Sequence, residues 1–389
     1  MRLRSGVGET VQVVPYSPDA LRRWPDLESD ELFAIDSADR LILDESAAAR
    51  SAAPAGSLVA IGDSYGALTL GAADAGGTGI RVHQDPLSGE RALERNARGF
   101  DLQSAFQSLP LVPELVTGAR VVLLRLPRAL DELEDISGLI AGHADPEVVV
   151  FAGGRIKHMT LGMNDVLRRS FGALDVTHAR QKSRVLVARQ PLAGHDPQPR
   201  SKQHSLPGLT APLTVCAFGG AFAGTSIDIG TRFLIEQLDS VSIHSERDVI
   251  DFACGTGVVA AWLALRHPDL SVVASDESSV AVASAGATAR ENGVAHQIEV
   301  VRDFGLESRG DRSASLIALN PPFHAGAAVP NGVAEPLFAE AGRVLAPGGE
   351  LWTVWNSPLQ YRPVLERLVG RTRQVARNAK FTVTASTRS

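Results

Sequence analysis

The sequence predicts two tandem doubly wound α/β domains, and three observations lead there. The chain has 389 residues, more than one ordinary domain holds. Helical and strand patterns alternate along most of it, which is the signature of α/β architecture. One order of elements also occurs twice: apolar strand, glycine-bearing turn, helix, strand ending in an acid, helix, strand ending in a proline turn.

In the first half the glycine turn follows Leu58-Val59-Ala60-Ile61, as Gly62-Asp63-Ser64-Tyr65-Gly66. The next strand, Ile80 to Gln84, ends at Asp85, and a later one ends at Leu124-Arg125-Leu126-Pro127. In the second half the corresponding stretches are Val249 to Gly257, Leu270 to Asp276, and a strand ending at Leu319-Asn320-Pro321-Pro322. Duplication of one domain is the simplest account. Between the halves, residues 190–210 are rich in Pro, Gly, His and Ser and have little periodicity, so they read as a linker. The expected division is 1–189, linker 190–210, and 211–389.

Composition bounds the function. The chain is 44% hydrophobic and 21% charged, a normal globular mixture. Its net charge of -6 makes it no wholesale polyanion binder, so any nucleic-acid surface must be local. Two cysteines without metal spacing exclude a disulfide framework and point to no metal. No apolar run is long enough to span a membrane, and Met1 to Gly6 lacks the apolar core of a signal peptide. A cytoplasmic protein is expected.

The chemistry lies in the second half. A buried strand, Val249 to Phe252, delivers Ala253-Cys254-Gly255-Thr256-Gly257 onto a helix from Val258 to His267. Such a turn lets a ligand approach backbone closely. Asp251 at the strand end suits the amino or sulfonium side of a cationic cofactor. Asp276 ends the second strand, where an acid bonds paired ribose hydroxyls in doubly wound folds, and Glu277 can share that role. A helix from Ser279 stops at Asn292-Gly293. Asp303, at the third strand tip, reads equally as an acceptor for an adenine amine or as a loop cap.

Leu316 to Leu319 then runs into Asn320-Pro321-Pro322-Phe323-His324. Consecutive prolines fix the backbone. The Asn320 carboxamide oxygen and the Pro321 carbonyl can converge as two acceptors for an amine on a planar conjugated group. Holding both N–H donors lets the nitrogen rehybridise as it attacks a methyl. Phe323 offers a stacking face, an interaction worth about 1–3 kcal/mol. Pro322 completes the rigid turn, and catalysis is positioning and electrostatics. His324 reads as a structural or base-edge contact. Cys254 reads as a small packed residue. Trp352 and Trp355, three apart on the fifth strand, should face opposite sides of the sheet.

These motifs resemble those of the RsmC/RlmG group, bacterial ribosomal RNA guanine-N2 methyltransferases made of two tandem class I, Rossmann-like methyltransferase domains. Thr225-Ser226-Ile227-Asp228-Ile229-Gly230-Thr231-Arg232-Phe233-Leu234 is similar to a stretch of the RlmG branch, and Leu345 to Trp352 matches the turn into the fifth strand. The resemblance implies S-adenosylmethionine as cofactor, a loop at Asp228 covering its site, and a catalytic C-terminal domain alone. It covers about residues 214–385 well. The N-terminal half matches more loosely, through Asp63 to Leu68 and Val176 to Val185. There Arg125-Leu126-Pro127-Arg128 stands in place of the catalytic tetrapeptide, so a degenerate domain is implied. Ala253 departs from the family's glycine, and Arg302-Asp303 departs from an expected Asn-bearing pair.

A ribosomal RNA or ribosomal-subunit partner needs a basic surface. Candidates are Arg155, Lys157, Arg168, Arg169, Arg180, Lys182 and Arg184. The target guanine must be unstacked to reach Phe323. Two alternatives stand beside this reading. One is methylation of adenine N6 or a protein glutamine amide. The other is a non-catalytic RNA-binding assembly factor. Oligomeric state is open, since a duplicated chain needs no dimer to build two lobes.

Overall fold

The computed structural model describes residues 15–29, 31–239, 241, 243, 247–322 and 334–389. The chain forms two compact units, one built mainly on residues up to Asp196 and the other mainly on Pro197–Ser389. The short segments Asp85–Leu87 and Ala129–Asp135 group with the second.

The first unit's elements run α1 (Ser37–Ala52), β1 (Leu58–Ile61), α2 (Ala67–Asp74), β2 (Ile80–His83), α3 (Leu87–Phe100), β3 (Phe106–Ser108) and α4 (Pro113–Val116). They continue with β4 (Val121–Arg125), α5 (Leu130–His143), β5 (Val149–Arg155), α6 (Leu161–Ser170), β6 (Phe171–Val176) and β7 (Ser183–Pro191). The strands form one seven-stranded sheet in the order β3-β2-β1-β4-β5-β7-β6. Its first five strands are parallel, and β7 pairs antiparallel with β5 and β6.

The second unit begins with β8 (Arg200–His204) and β9 (Leu213–Ala217), an antiparallel pair. Then follow α7 (Ile229–Leu238), β10 (Asp248–Phe252), α8 (Val258–Arg266), β11 (Val272–Asp276), α9 (Ser279–Glu291), β12 (Ile298–Arg302) and β13 (Ala314–Leu319). The chain ends with α10 (Ala334–Val344), β14 (Leu345–Asn356), α11 (Arg362–Leu368), β15 (Gly370–Arg377) and β16 (Phe381–Arg388). The sheet order is β12-β11-β10-β13-β14-β16-β15, the first unit's order repeated strand for strand. The reading of two tandem doubly wound domains therefore holds.

The central strands β1 and β10 are buried along nearly their whole length, as expected where helices cover both faces of a sheet. In the second unit two apolar clusters flank the sheet. Trp352 lies in one and Trp355 in the other, so the alternation expected along β14 is realised. Helix α8 is buried on nearly all sides, from Val258 to Ala264, and its Trp262 Nε1 donates to the Pro207 carbonyl at 2.8 Å. The linker reading needs correction. Strand β7 runs into it as far as Pro191, and residues 200–204 pair in register with β9. The uniformly polar side chains of Arg200–His204 show no alternation and so hide a strand whose partner lies beyond the stretch read as a linker.

Candidate functional site

The second unit gathers its predicted site residues at the C-terminal ends of β10, β11 and β13. Parallel pairing sets them side by side: Phe252 faces Ser275 on one flank and Leu319 on the other, which aligns the tips that carry Ala253, Asp276 and Asn320. Doubly wound sheets bind ligands at this end.

The glycine turn is strained where the sequence departs from the family. Ala253 has φ +55, a left-handed conformation that suits glycine and costs an alanine about 1 kcal/mol. Gly257 is also left-handed, and a side chain there would meet Ala285 of α9 at 2.8 Å. Gly255 (φ +54) differs, because a side chain built on it would meet nothing within 4 Å. Its open side is where a ligand can touch the backbone.

Two acids hold the turn. Asp251 is buried, and its Oδ2 accepts from the Ala260 amide at 2.9 Å, tying the strand tip to the first turn of α8. Burial, with Asp276 nearby, pushes its carboxyl well above the usual range. Asp276 Oδ2 accepts from the Gly255 amide and Oδ1 from the Ser278 amide, both at 2.9 Å. Burial raises its pKa to about 6 against those two bonds. A carboxylate has about four acceptor positions, so Asp276 keeps acceptor capacity beyond these two bonds. Glu277 follows, half-buried. Cys254 is buried and its thiol is pushed up by that burial, in keeping with packing rather than nucleophilic chemistry. Asp303 Oδ2 accepts from the Ser308 amide at 2.9 Å and hydroxyl at 2.6 Å, so one of its oxygens caps a loop.

Asn320 carries the most specific geometry. Its Nδ2 donates to Asp228 Oδ2 at 3.2 Å and to Thr231 Oγ1 at 2.9 Å. Asp228 is itself the N-cap of α7, accepting from the Gly230 amide at 2.8 Å. A carboxylate only accepts, so the carboxamide's NH2 end must face it. That leaves Asn320 Oδ1 buried with no hydrogen-bond partner among the described residues, an orphaned acceptor costing about 1–3 kcal/mol unless a ligand satisfies it. Asp228 thus sits behind Asn320, a position the sequence did not disclose. Pro321 is buried and Pro322 exposed, while Phe323 and His324 lie outside the described residues.

The first unit shows what the same scaffold looks like without the site. Ile61 pairs with His83 and Leu124, as Phe252 pairs with Ser275 and Leu319. Gln84 therefore stands where Asp276 does, and Asp85 stands one residue further on, a correction to the sequence alignment of acids. Gln84 is buried and donates to the carbonyls of Asp63 and Ser64, across the turn. Asp63 accepts from Gly66 at 3.1 Å and Thr69 at 2.8 Å, tethering α2 as Asp251 tethers α8. Arg125 stands where Asn320 does.

Of the basic candidates, Arg155 ends β5 and Lys157 is exposed just after it. Arg168 and Arg169 lie on α6, and Arg184 on β7. Arg180 and Lys182 flank the β6–β7 turn. Arg180 pairs with Asp44 at 3.2 Å and Arg168 with Asp165 at 3.6 Å, so the seven are not equally available to a partner.

Among the described residues no helix is long and apolar enough to cross a membrane, and no group of three or more His, Cys, Asp or Glu is placed to hold a metal.

A repeated doubly wound sheet, an open glycine turn beside a strand-tip acid, and an Asn-Pro-Pro tip together are the features of a class I methyltransferase. Residues 212–385 match the methyltransferase small domain and residues 12–192 the RLMG N-terminal domain. The ribosomal RNA large subunit methyltransferase G of Streptomyces avermitilis is 35% identical over 380 residues, covering 95% of this chain and 97% of the relative. That of Pseudomonas aeruginosa is 33% identical over 376 residues, covering 95% and 97%. The chain belongs to the ribosomal RNA large subunit methyltransferase G family. A solved T. thermophilus 16S rRNA N2-guanine methyltransferase (RsmC), in complex with AdoMet and guanosine, shares the fold with a TM-score of 0.74 at 21% identity, covering 91% of this chain and 92% of that one.

Proposed function

We propose that the protein transfers a methyl group from S-adenosylmethionine to the exocyclic N2 of a guanine in large-subunit ribosomal RNA, in the cytoplasm, using the second unit's site alone. The single observation that carries this is the buried Oδ1 of Asn320, without a partner among the described residues and oriented by the bonds its Nδ2 donates to Asp228 and Thr231. The residues present fit the cofactor: Gly255 leaves open backbone, and Asp276 retains acceptor capacity. When bound, the cofactor supplies an electrophilic methyl on a sulfonium.

The chain's own residues do the rest. Gly255 and Asp276 seat the ribose side, with Ala253, Cys254 and Gly257 shaping the turn. Asp251 rigidifies the turn from beneath. Glu277 and Asp303 border the nucleoside end. Asn320 Oδ1 and the Pro321 carbonyl accept the two N–H bonds of the guanine amine. As nitrogen attacks, those protons become more acidic, so both hydrogen bonds strengthen in the transition state, where binding accelerates reaction. The extra proton leaves to water. Phe323 stacks on the extruded base.

Methyl transfer from labelled S-adenosylmethionine to 16S and 23S RNA, naked and as assembled subunits, tests the proposal. N2-methylguanosine in 23S RNA is expected. Label confined to 16S RNA, or to another nucleoside, would overturn the assignment. Binding of the cofactor without any RNA product would move the acceptor to another conjugated amine.

A further inference from the structure

In the first unit a cavity of about 300 Å³ opens beside the tips of β4 and β5, lined by Arg125, Arg128, Arg155, Lys157 and His158, with Asp36 at its wall. By strand register it occupies the place that holds Asn320-Pro321-Pro322 in the second unit.

The charges around it do not cancel. Arg125 is neutralised locally: its Nη1 and Nη2 donate to the two oxygens of Asp36 at 2.8 and 2.6 Å, and it also reaches Asp39. That engages the one carboxylate lining the cavity. Arg128, Arg155 and Lys157 pair with no carboxylate among the described residues. Arg155 keeps a buried Nε without a hydrogen-bond partner among the described residues. The local field registers on His158, whose imidazole is lowered by desolvation and by Arg128, Lys157, Arg155 and Arg125. Cations gathered round one concavity repel each other unless an anion joins them. Two guanidinium forks and an ammonium group match a phosphate better than a carboxylate-rich or neutral ligand.

We propose that this cavity binds a phosphodiester of the RNA substrate, so that the unit without transfer chemistry has turned its old catalytic tip into a phosphate clamp. The proposal rests on the ribosomal RNA reading above. It also narrows the basic candidates, making Arg155 and Lys157 central, adding Arg128, and leaving the ion-paired Arg168 and Arg180 peripheral.

The test measures 23S RNA binding by the full chain across a salt series. Arg128→Gln/Lys157→Gln is compared with Arg95→Gln/Arg98→Gln, an equal charge change on α3 residues that do not line the cavity. The cavity pair should weaken binding about tenfold near 0.1 M salt and flatten the log–log salt slope by about 1.4. At saturating RNA, kcat should stay within about twofold, and the melting temperature should be unchanged. The α3 pair should change affinity by less than about twofold. Inorganic phosphate at fixed ionic strength should compete with RNA on the wild type and lose that effect in the cavity pair.

Equal losses from both pairs would reduce the cavity to general surface charge and overturn the proposal. Phosphate binding lost in the cavity pair with RNA affinity intact would make it a free-anion site and also overturn it. Wild-type chain that methylates 23S RNA while the cavity pair binds it normally sinks the clamp alone. Wild type that neither binds nor methylates sinks the ribosomal RNA reading with it.

Discussion

Two helix N-termini, one in each unit, do the same job for different partners. Asp36 caps α1 and Asp228 caps α7. Each acid also reaches across to the residue just beyond the central apolar run of its sheet. Asp228 accepts from Asn320, and Asp36 accepts from Arg125. Thr231 supports Asp228, and Asp39, at the same helical position, supports Asp36. The scaffold has therefore kept its lock while the key changed. With Asn320 in place, the acid orients a neutral amide and leaves one buried acceptor without a partner among the described residues. With Arg125 in place, two acids neutralise a cation and leave no acceptor at all. Burial works against Asp36, yet the guanidinium outweighs it and holds its carboxyl at about 2. On the proposed reading, activity is decided by what stands at the strand tip, and the acid behind it is common to both units.

That comparison can be broken most sharply at Asn320. Asn320→Ala should lower kcat by about 10²–10³, the scale for removing one transition-state acceptor or donor. S-adenosylmethionine affinity measured by calorimetry should stay within about twofold. A parallel collapse of cofactor binding would mean that Asn320 serves the cofactor rather than the amine.

Next comes the first unit's counterpart. Arg125→Asn restores the catalytic-type residue, but it strands Asp36 and Asp39 in a partly buried site. Breaking a buried pair costs about 3–5 kcal/mol, and partial exposure here trims that to about 2–3 kcal/mol. Denaturant unfolding should show that loss, and combining the change with Asn320→Ala should rescue no methyl transfer. Restored transfer would show the first unit to be one residue from activity, against the Gln84 evidence.

Asp228→Asn sharpens the orienting argument. Asparagine caps helices about as well as aspartate, so folding should hold. The substituted amide no longer dictates which end of Asn320 faces it. A fall in kcat of about tenfold, with KM for RNA and cofactor affinity nearly unchanged, is expected. Unchanged kcat would reduce Asp228 to a helix cap.

The smallest effect is one of pH. Asp276 is raised from 3.8 to about 6 by burial. Between those values the folded chain binds more protons than the unfolded one, so this group's contribution to stability falls as pH rises. Ribose hydroxyls need the carboxylate form, so cofactor affinity should move the other way. It should weaken by up to tenfold per pH unit below about 6. Asp276→Asn should bind weakly at every pH with a flat profile. A wild-type profile that is flat from pH 5 to 7 would remove Asp276 from the cofactor's contacts.

Much of this was legible in the residues. The glycine turn, Asp276, the Asn-Pro-Pro tip and the two tryptophans of β14 are local signals, each fixed by neighbours in sequence. What escaped depends on pairing. Whether Gln84 or Asp85 answers to Asp276 follows from strand register, and one residue of slip moves a side chain to the other face. Strand β8 escaped because its partner lies outside the stretch that looked like a linker. The shared lock escaped although a signal was present: Ile35-Asp36 and Ile227-Asp228 are each followed, four residues after the acid, by an arginine, Arg40 and Arg232, and then by apolar residues. Aligning those two strings would have placed α1 on α7 before any coordinates.

Gln84 has a consequence for counting. Its amide, bonded to the carbonyls of Asp63 and Ser64, occupies the ground that Asp276 leaves open in the other unit. At this position the first sheet is thus engaged by its own side chain. On the proposed reading, two sheets of identical order make a chain that binds one cofactor, and calorimetry should return a stoichiometry of one.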